Sequence, residues 1–211
     1  MTAAPAITPA LLASAMPYAA FVVLSKTLLA ERRTTSDDPL YNTDQIIQLT
    51  DLNLHRISRL ERTTTLNPAL VEAAQAVPEP WTWLVLVESW CGDVAQCLPV
   101  IKQVADQNPL IDLKLLLRDK NPALMDAYRT NGGRSIPKLI CLTTGALVEL
   151  GTWGPRPATL QTLMDGWKAE QISFDDLLER VHGWYAKDRT QTVQAELLTL
   201  IQTWSEGSGK E

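Results

Sequence analysis

The stretch SWCGDVAQCLP, residues 89–99, is the part of this sequence whose residue types and spacing could do thiol chemistry. An aromatic residue and a glycine flank Cys91, but Val94 stands three residues later, where a second cysteine would complete a C-x-x-C pair. A lone thiolate can still attack a disulfide, and the mixed disulfide that forms must then be broken by another thiol. The sequence therefore predicts a site with one reactive cysteine, Cys91, that depends on an external thiol.

The position of Cys91 gives a reason for reactivity. The apolar residues 83–87 predict a buried strand, and a helix is expected from about Gly92. Free N–H groups and the dipole at a helix start favour a thiolate by about 0.3 to 1 kcal/mol, whereas one pKa unit corresponds to about 1.4 kcal/mol. Negative charge on Glu88 and Asp93 opposes this effect. We therefore expect a modestly acidic thiol.

Two simpler interpretations of these residues stay open. Cysteine is often a small buried apolar residue, so Cys91 could belong to the core. Asp93 could serve only to stabilise the first turn of the helix, as acidic residues generally do there.

The other two cysteines are expected in the core. Cys97 lies six residues after Cys91, about 9 Å along a helix, whereas the Cα atoms of a disulfide lie closer than about 7 Å. The two could meet only if the first helical turn unwound. Cys141 falls inside an apolar strand, and His55 and His182 complete no recognised ligand set. The sequence thus predicts neither a metal site nor a cofactor.

A second group of candidate residues, GRSIPK, spans residues 133–138. Proline cannot donate a hydrogen bond to a sheet, so Pro137 is expected at the first position of a strand, where a cis bond is possible. Such a turn would leave the backbone of Ile136 free to pair with an extended peptide.

The elements that must position these residues follow an α/β pattern. Helical periods recur through residues 1–80, interrupted by a loop rich in Thr, Ser and Asp at residues 32–42, and we interpret this segment as an N-terminal helical extension. Residues 81–170 read as strand, helix, strand, helix, strand, strand and helix, with a parallel part and an antiparallel hairpin. Residues 171–211 are expected to form a C-terminal helical extension that ends in a polar tail from Ser205.

Composition excludes several classes of function. The 211 residues carry a net charge of −5 without a basic stripe, so a nucleic-acid partner is not expected. Three cysteines indicate a reduced, cytoplasmic chain. Residues 2–25 are uncharged, but Lys26 follows the apolar run instead of preceding it, and three prolines interrupt that run. We therefore expect neither a signal peptide nor a membrane partner.

Three longer segments resemble a known family: WCGDVAQ (residues 90–96), LLLRDKNPALMDAYRTNGGRSIPKLICL (residues 115–142) and LGTWGPRPA (residues 150–158). Over residues 81–170 the chain resembles thioredoxin in the content and order of shorter motifs: Trp90-Cys91-Gly92, Pro99, Asp119-x-Asn121-Pro122, Tyr128 and Arg134-x-Ile136-Pro137. Over most of the chain the three longer segments resemble a group of bacterial thioredoxin-like proteins with helical extensions at both ends. Each motif is weak alone, but the ordered set is specific.

This resemblance implies a thioredoxin fold, with a central mixed sheet flanked by helices, and assigns roles to residues. Cys91 would be the attacking thiol and Pro137 the cis-proline that faces it. The expected substrate-binding residues are Trp90, Gly92, Asp93, Ile136, Pro137, Gly151, Trp153 and Arg156. Val94 replaces the second cysteine, and Val85 stands where thioredoxin keeps a buried carboxylate. Glu88 is the nearest acid that could replace that carboxylate.

Two functions remain in competition at this point. In the first, Cys91 exchanges disulfides with a protein disulfide or a small thiol substrate, and an external thiol reductant releases it. In the second, the chain is a non-catalytic module that binds an extended peptide or protein segment at Ile136 and Pro137. The terminal helices would then act as a docking surface.

Overall fold

A four-stranded mixed sheet lies at the centre of the computed structural model, which describes residues 7–208. The strands are β1 (Trp81–Val87), β2 (Ile111–Leu117), β3 (Lys138–Thr143) and β4 (Glu149–Trp153), in the order β2-β1-β3-β4. The pairing of β1 with β2 is parallel, and the other two pairings are antiparallel. The predicted mixed α/β sheet is thereby confirmed.

Nine helices surround the sheet within the described residues. They are α1 (Pro9–Ser14), α2 (Tyr18–Ala30), α3 (Asp44–Thr63), α4 (Pro68–Gln75), α5 (Gly92–Ala105), α6 (Pro122–Ala127), α7 (Ala158–Ala169), α8 (Phe174–Asp188) and α9 (Gln191–Ser208). Short 3-10 helices occupy Pro39–Tyr41 and Arg118–Lys120. The helix ends later than the tail predicted from Ser205 implies, because α9 continues through Ser208. The last three residues lie outside the described part.

The central strand explains how two distant motifs meet. All seven residues of β1 are buried, as its continuous apolar sequence predicts for a strand between two neighbours. Leu86 pairs with Lys138, so the carboxyl end of β1 lies beside the start of β3. The segment after β1 and the turn before β3 are therefore neighbours at one edge of the fold.

The predicted extensions pack onto the sheet and onto α5. Helix α2 contacts β2, α3 contacts α5, and α9 contacts both α4 and β4. The edge of the Trp204 indole packs against Trp81 and Trp83, with ring centroids 6.2 and 6.3 Å apart. One buried apolar cluster includes Phe21, Leu84 and Leu197, so all three predicted segments share it. The segment boundaries at residues 80 and 170 stay a prediction.

None of the helices within residues 7–208 is both long and apolar enough to cross a bilayer. The cytoplasmic location inferred from the cysteines stays a prediction.

Candidate functional site

Cys91 lies at the junction that the sequence predicted. It is the N-cap residue of α5, and its thiol donates a hydrogen bond to the carbonyl oxygen of Ile136, with 3.3 Å between the sulfur and the oxygen. The peptide bond between Ile136 and Pro137 is cis. The single cysteine and the cis-proline loop, which are 45 residues apart in sequence, therefore form one site.

The environment of the sulfur differs from the expectation of an acidic thiol. Cys91 is only 9% exposed. Burial, followed by the negative charge of Asp93, raises the pKa of the Cys91 thiol to about 12, although N–H groups of Val94 and Asp93 and the charge of Arg156 act in the opposite direction. The predicted direction was wrong because desolvation of the thiolate outweighs the helix start.

Asp93 and Arg156 form a buried ion pair beside Cys91. The carboxylate of Asp93 accepts two hydrogen bonds from the Arg156 guanidinium, at 2.6 and 3.0 Å, and one from the Tyr185 hydroxyl of α8 at 2.7 Å. Both charged side chains are 10% exposed. The side chain of Arg156, expected to bind substrate, is largely buried and is bound to Asp93 in the first turn of α5.

Trp90 is covered by a segment that precedes α3. We call residues 34–42 the N-terminal strap. Tyr41 of the strap stacks on the Trp90 indole, with ring centroids 4.1 Å apart and an interplanar angle of 10°. The Arg118 guanidinium lies 4.6 Å from the Trp90 ring centre. One face of Trp90, which the resemblance assigns to substrate binding, is therefore covered by Tyr41 of the same chain.

Buried hydroxyl groups hold the other end of the strap to the end of β1. The backbone N–H of Ser89 donates to Thr35 Oγ1 at 2.9 Å, and the N–H of Thr35 donates to Ser89 Oγ at 3.2 Å. Thr34, Thr35 and Ser36 are all buried. The sequence predicted a polar loop here, and its serine and threonine side chains are polar because they bind buried groups.

Glu88 is fully buried under the strap. Its carboxylate accepts a hydrogen bond from the Thr35 hydroxyl and one from the N–H of Asp119, the latter at 2.9 Å. Burial raises the pKa of Glu88 to about 7, although these hydrogen bonds partly offset the effect. Its carboxylate is bound to the strap and to Asp119, so the structure gives no contact with the Cys91 sulfur for the suggested replacement of the thioredoxin carboxylate.

Residues from α3 and α8 cover the start of α5. A Cβ atom added at Gly92 would lie 3.5 Å from Cε1 of His182 and 3.9 Å from Oδ1 of Asn53. Asn53 also donates to the carbonyl of Ser89 at 3.1 Å. Both ring nitrogens of His182 are buried without a hydrogen-bond partner, and burial lowers its pKa to about 4. Both Cβ distances are ordinary van der Waals contacts, so His182 and Asn53 pack directly against the first residue of α5.

The predicted free edge at Ile136 is not available. Ile136 is 2% exposed, and Pro137 is also buried. The Ile136 carbonyl accepts a hydrogen bond from the Cys91 thiol. The structure therefore leaves no open backbone for peptide pairing at Ile136, because the residue is buried and its carbonyl already accepts a hydrogen bond.

Gly151 does not belong to this site, and Gly154 does. Gly151 pairs with Cys141 and contacts the Trp204 indole, level with Trp83 near the beginning of β1. Gly154 has φ +110°, and a Cβ there would collide with the carbonyl oxygen of Pro137. The sequence signal for Gly154 was its place in TWGPRP, directly before Pro155. In the structure the peptide bond between Gly154 and Pro155 is cis.

Trp153 lines an open cavity of about 480 Å³, and Cys91, Ile136 and Pro137 are not among its lining residues. The indole N–H of Trp153 donates to Glu196 of α9 at 2.6 Å. Gly154, Arg156 and the α9 residue Thr199 also line the cavity. Trp153 is therefore placed near the cis-proline turn, but it is anchored to the C-terminal extension.

Cys97 and Cys141 are buried free thiols, as expected of core residues. The sulfur of Cys97 lies 3.6 Å from the Tyr185 hydroxyl oxygen. Within residues 7–208, no cluster of three or more His, Cys, Asp or Glu side chains is arranged to hold a metal ion.

Comparison with known proteins identifies the family of this fold. A family model described as thioredoxin matches residues 41–170. The chain belongs to the thioredoxin family. The match begins before β1, so it includes α3 and α4 of the N-terminal extension.

Two solved structures share this thioredoxin-like fold over almost the whole chain. A protein of unknown function from Pseudomonas aeruginosa is 18% identical with a TM-score of 0.59, and an HIV epitope scaffold is 19% identical with a TM-score of 0.58. Each alignment covers 93% of this chain and 98% of the other. At this identity the likeness concerns the fold alone. A search of curated proteins found no match.

Proposed function

We propose that this protein exchanges disulfides through Cys91 alone and that an external thiol completes the reaction. The thioredoxin family membership supports thiol–disulfide chemistry as the class of reaction. The observation that carries the proposal is the 3.3 Å contact between the Cys91 sulfur and Ile136, directly before cis-Pro137. This arrangement places a thiol at the start of a helix and opposite the turn that the resemblance associates with substrate.

The reaction has two steps. Cys91 loses its proton to solvent, and its thiolate attacks one sulfur of a disulfide. A bond forms between Cys91 and that sulfur, the substrate S–S bond breaks, and the second substrate sulfur leaves as a thiolate. With Val94 in place of a resolving cysteine, an external thiolate attacks the mixed disulfide and releases Cys91.

The high pKa of Cys91 leads to a first prediction about rate. Because only the thiolate reacts and its pKa is about 12, the rate of mixed-disulfide formation should rise continuously from pH 7 to pH 10. Intact-mass and peptide-mass analysis after treatment with bis(2-hydroxyethyl) disulfide would measure the adduct at Cys91. The Cys91→Ser variant is the control and should form no adduct in the native state. Equal labelling of Cys97 and Cys91 would contradict the proposal.

The burial of the sulfur favours a second candidate, a non-catalytic binding module. A thiol with a pKa of about 12 is mostly protonated at neutral pH and can act as a buried hydrogen-bond donor to Ile136. In that case Cys91→Ser would retain partner binding, whereas the exchange mechanism requires the sulfur. A Cys91 sulfur that forms no mixed disulfide in the native state would favour this candidate.

A further inference from the structure

A second cavity, of about 420 Å³, lies between the end of α3, the middle of α5 and the junction of α8 with α9. Cys91, Ile136 and Pro137 do not line it, so it is separate from the candidate thiol site. Small-molecule sites usually have volumes of about 300 to 1,000 Å³. The cavity therefore has the size for a low-molecular-weight ligand.

Two arginines give this cavity a positive charge. Arg59 of α3 and Arg189, the residue directly after α8, both line it, and neither forms an ion pair with a carboxylate of the described residues. No aspartate or glutamate is among the residues that line the cavity. The neighbouring acid in sequence, Asp188, accepts hydrogen bonds from Thr192 instead. An anion in the cavity would therefore meet two cations whose charge is not already neutralised by contact.

The wall of the cavity also holds polar groups that lack partners. Gln96 of α5 is only 6% exposed, and its side-chain amide makes no hydrogen bond to any residue in the described part of the chain. The hydroxyl oxygen of Thr64 is likewise buried without a partner. A buried polar group without a partner costs free energy. The amide N–H of Gln96 and the hydroxyl of Thr64 can both donate to the oxygens of a ligand.

We propose that this cavity binds a low-molecular-weight compound that carries an anionic oxygen group, a phosphate or a carboxylate. A guanidinium group donates two parallel hydrogen bonds to the oxygens of either group, and Arg59 and Arg189 supply this recognition. Gln96 and Thr64 add neutral donors from the buried wall. This binding site is independent of Cys91 and goes beyond the proposed exchange of disulfides.

Isothermal titration calorimetry on the full chain tests the proposal with three named probes. Glycerol 3-phosphate carries a phosphate, succinate carries carboxylates, and glycerol is a neutral control. At least one of the two anions should bind with a Kd of about 1 mM or tighter, and glycerol should not bind. The affinity should fall as sodium chloride is added, because salt screens the arginine charges. The anion that binds more tightly identifies the preferred group.

Replacing single arginines places the binding in this cavity. Arg59→Gln and Arg189→Gln should each weaken binding roughly tenfold, or about 1.4 kcal/mol. Both side chains are exposed outside the core, so the variants should fold. Arg62→Gln is the matched control, because Arg62 lies one turn after Arg59 on the same helix, is exposed and does not line the cavity. It removes the same charge and should leave the affinity unchanged.

The buried amide gives a second, charge-independent test. Gln96→Met keeps a side chain of similar length without the amide, and it should weaken binding roughly fivefold. An unchanged affinity in both Gln96→Met and Arg59→Gln would overturn the proposal, and so would equal weakening in Arg62→Gln and Arg59→Gln. Absence of binding for both anions would also overturn it. None of these outcomes affects the mixed-disulfide test of Cys91, so the two proposals fail separately.

Discussion

At Cys91, the start of α5 and the surrounding burial act on the same proton in opposite directions. The N–H groups of Asp93 and Val94 favour the thiolate, but desolvation and the Asp93 carboxylate favour the thiol and prevail. Arg156 lies close enough to stabilise a thiolate, yet its charge is largely committed to Asp93. The pKa of Cys91, and with it the reactivity of the sulfur, therefore depends on the opposing charges of Asp93 and Arg156.

Neutralising Asp93 should change that balance. In Asp93→Asn the negative charge disappears while the Arg156 cation remains, so the pKa of Cys91 should fall. Each pKa unit lowered raises the thiolate fraction about tenfold at a pH below the pKa, and iodoacetamide labelling of Cys91 at pH 8 should accelerate by about that factor. The loss of one partner of a buried pair should also destabilise the fold.

Asp106→Asn provides the matched control, since Asp106 is exposed and lies directly after the other end of α5. It should leave the labelling rate of Cys91 unchanged. A Cys91 rate in Asp93→Asn equal to wild type would show that the ion pair does not control the thiol. Circular dichroism at the labelling temperature would verify that both variants are folded.

At the scale of elements, the turn after β4 brings Gly154 against the carbonyl oxygen of Pro137. Gly154 adopts φ +110° with the Pro137 carbonyl directly against its α-carbon, so both conformation and space require glycine. Gly145 has φ +99° in the β3–β4 turn, but nothing lies within 4 Å of a Cβ there. The two positions share a positive φ that would strain any other residue, and they differ in available space.

Alanine substitutions at Gly145 and Gly154 separate the cost of an unfavourable φ from the cost of a steric clash. Gly145→Ala should cost roughly 1 to 3 kcal/mol in the free energy of unfolding, the usual cost of an unfavourable φ. Gly154→Ala should cost more, because overpacking adds roughly 1 to 3 kcal/mol. Urea denaturation followed by tryptophan fluorescence would measure both. Equal losses would indicate that the Pro137 carbonyl moves freely away.

Local sequence patterns predicted the helices and strands well, but they could not predict which surfaces those helices and strands cover. The strand over residues 83–87 follows from its apolar run, the helix is found to start at Gly92 as expected, and both predictions are confirmed. Tyr41 and His182 lie about 50 and 90 residues from Cys91. No periodicity relates such residues to a distant cysteine, so the burial that raises its pKa could not be derived from sequence.

At the scale of the whole molecule, two buried titratable groups give stability opposite dependences on pH. Glu88 has a pKa of about 7 in the folded state against an ordinary value of 4.5, so only the folded state stays protonated between these values. Stability from this group is therefore lost as pH rises from 4.5 to 7. His182 has a pKa of about 4 against 6.5, so its contribution increases as pH rises between those values.

Single variants should reveal each contribution. The free energy of unfolding of wild type minus that of Glu88→Gln should fall by roughly 3 kcal/mol between pH 4.5 and 7, given about 1.4 kcal/mol per pKa unit. The corresponding difference for His182→Gln should rise between pH 4 and 6.5. Urea denaturation across this pH range would measure both, and a flat Glu88→Gln difference would show that the carboxyl is solvated.

The bridge between Met16 and Leu115 has a consequence for solubility. Leu115 stands at the outer strand of the sheet, where its N–H donates to Met16 at 2.8 Å and its carbonyl accepts from Met16 at 2.9 Å. An unprotected outer strand can template pairing with a second chain and lead to aggregation. Met16, a single residue near the amino terminus, therefore occupies the N–H and C=O groups of Leu115 that a second chain would need for pairing at the middle of this strand.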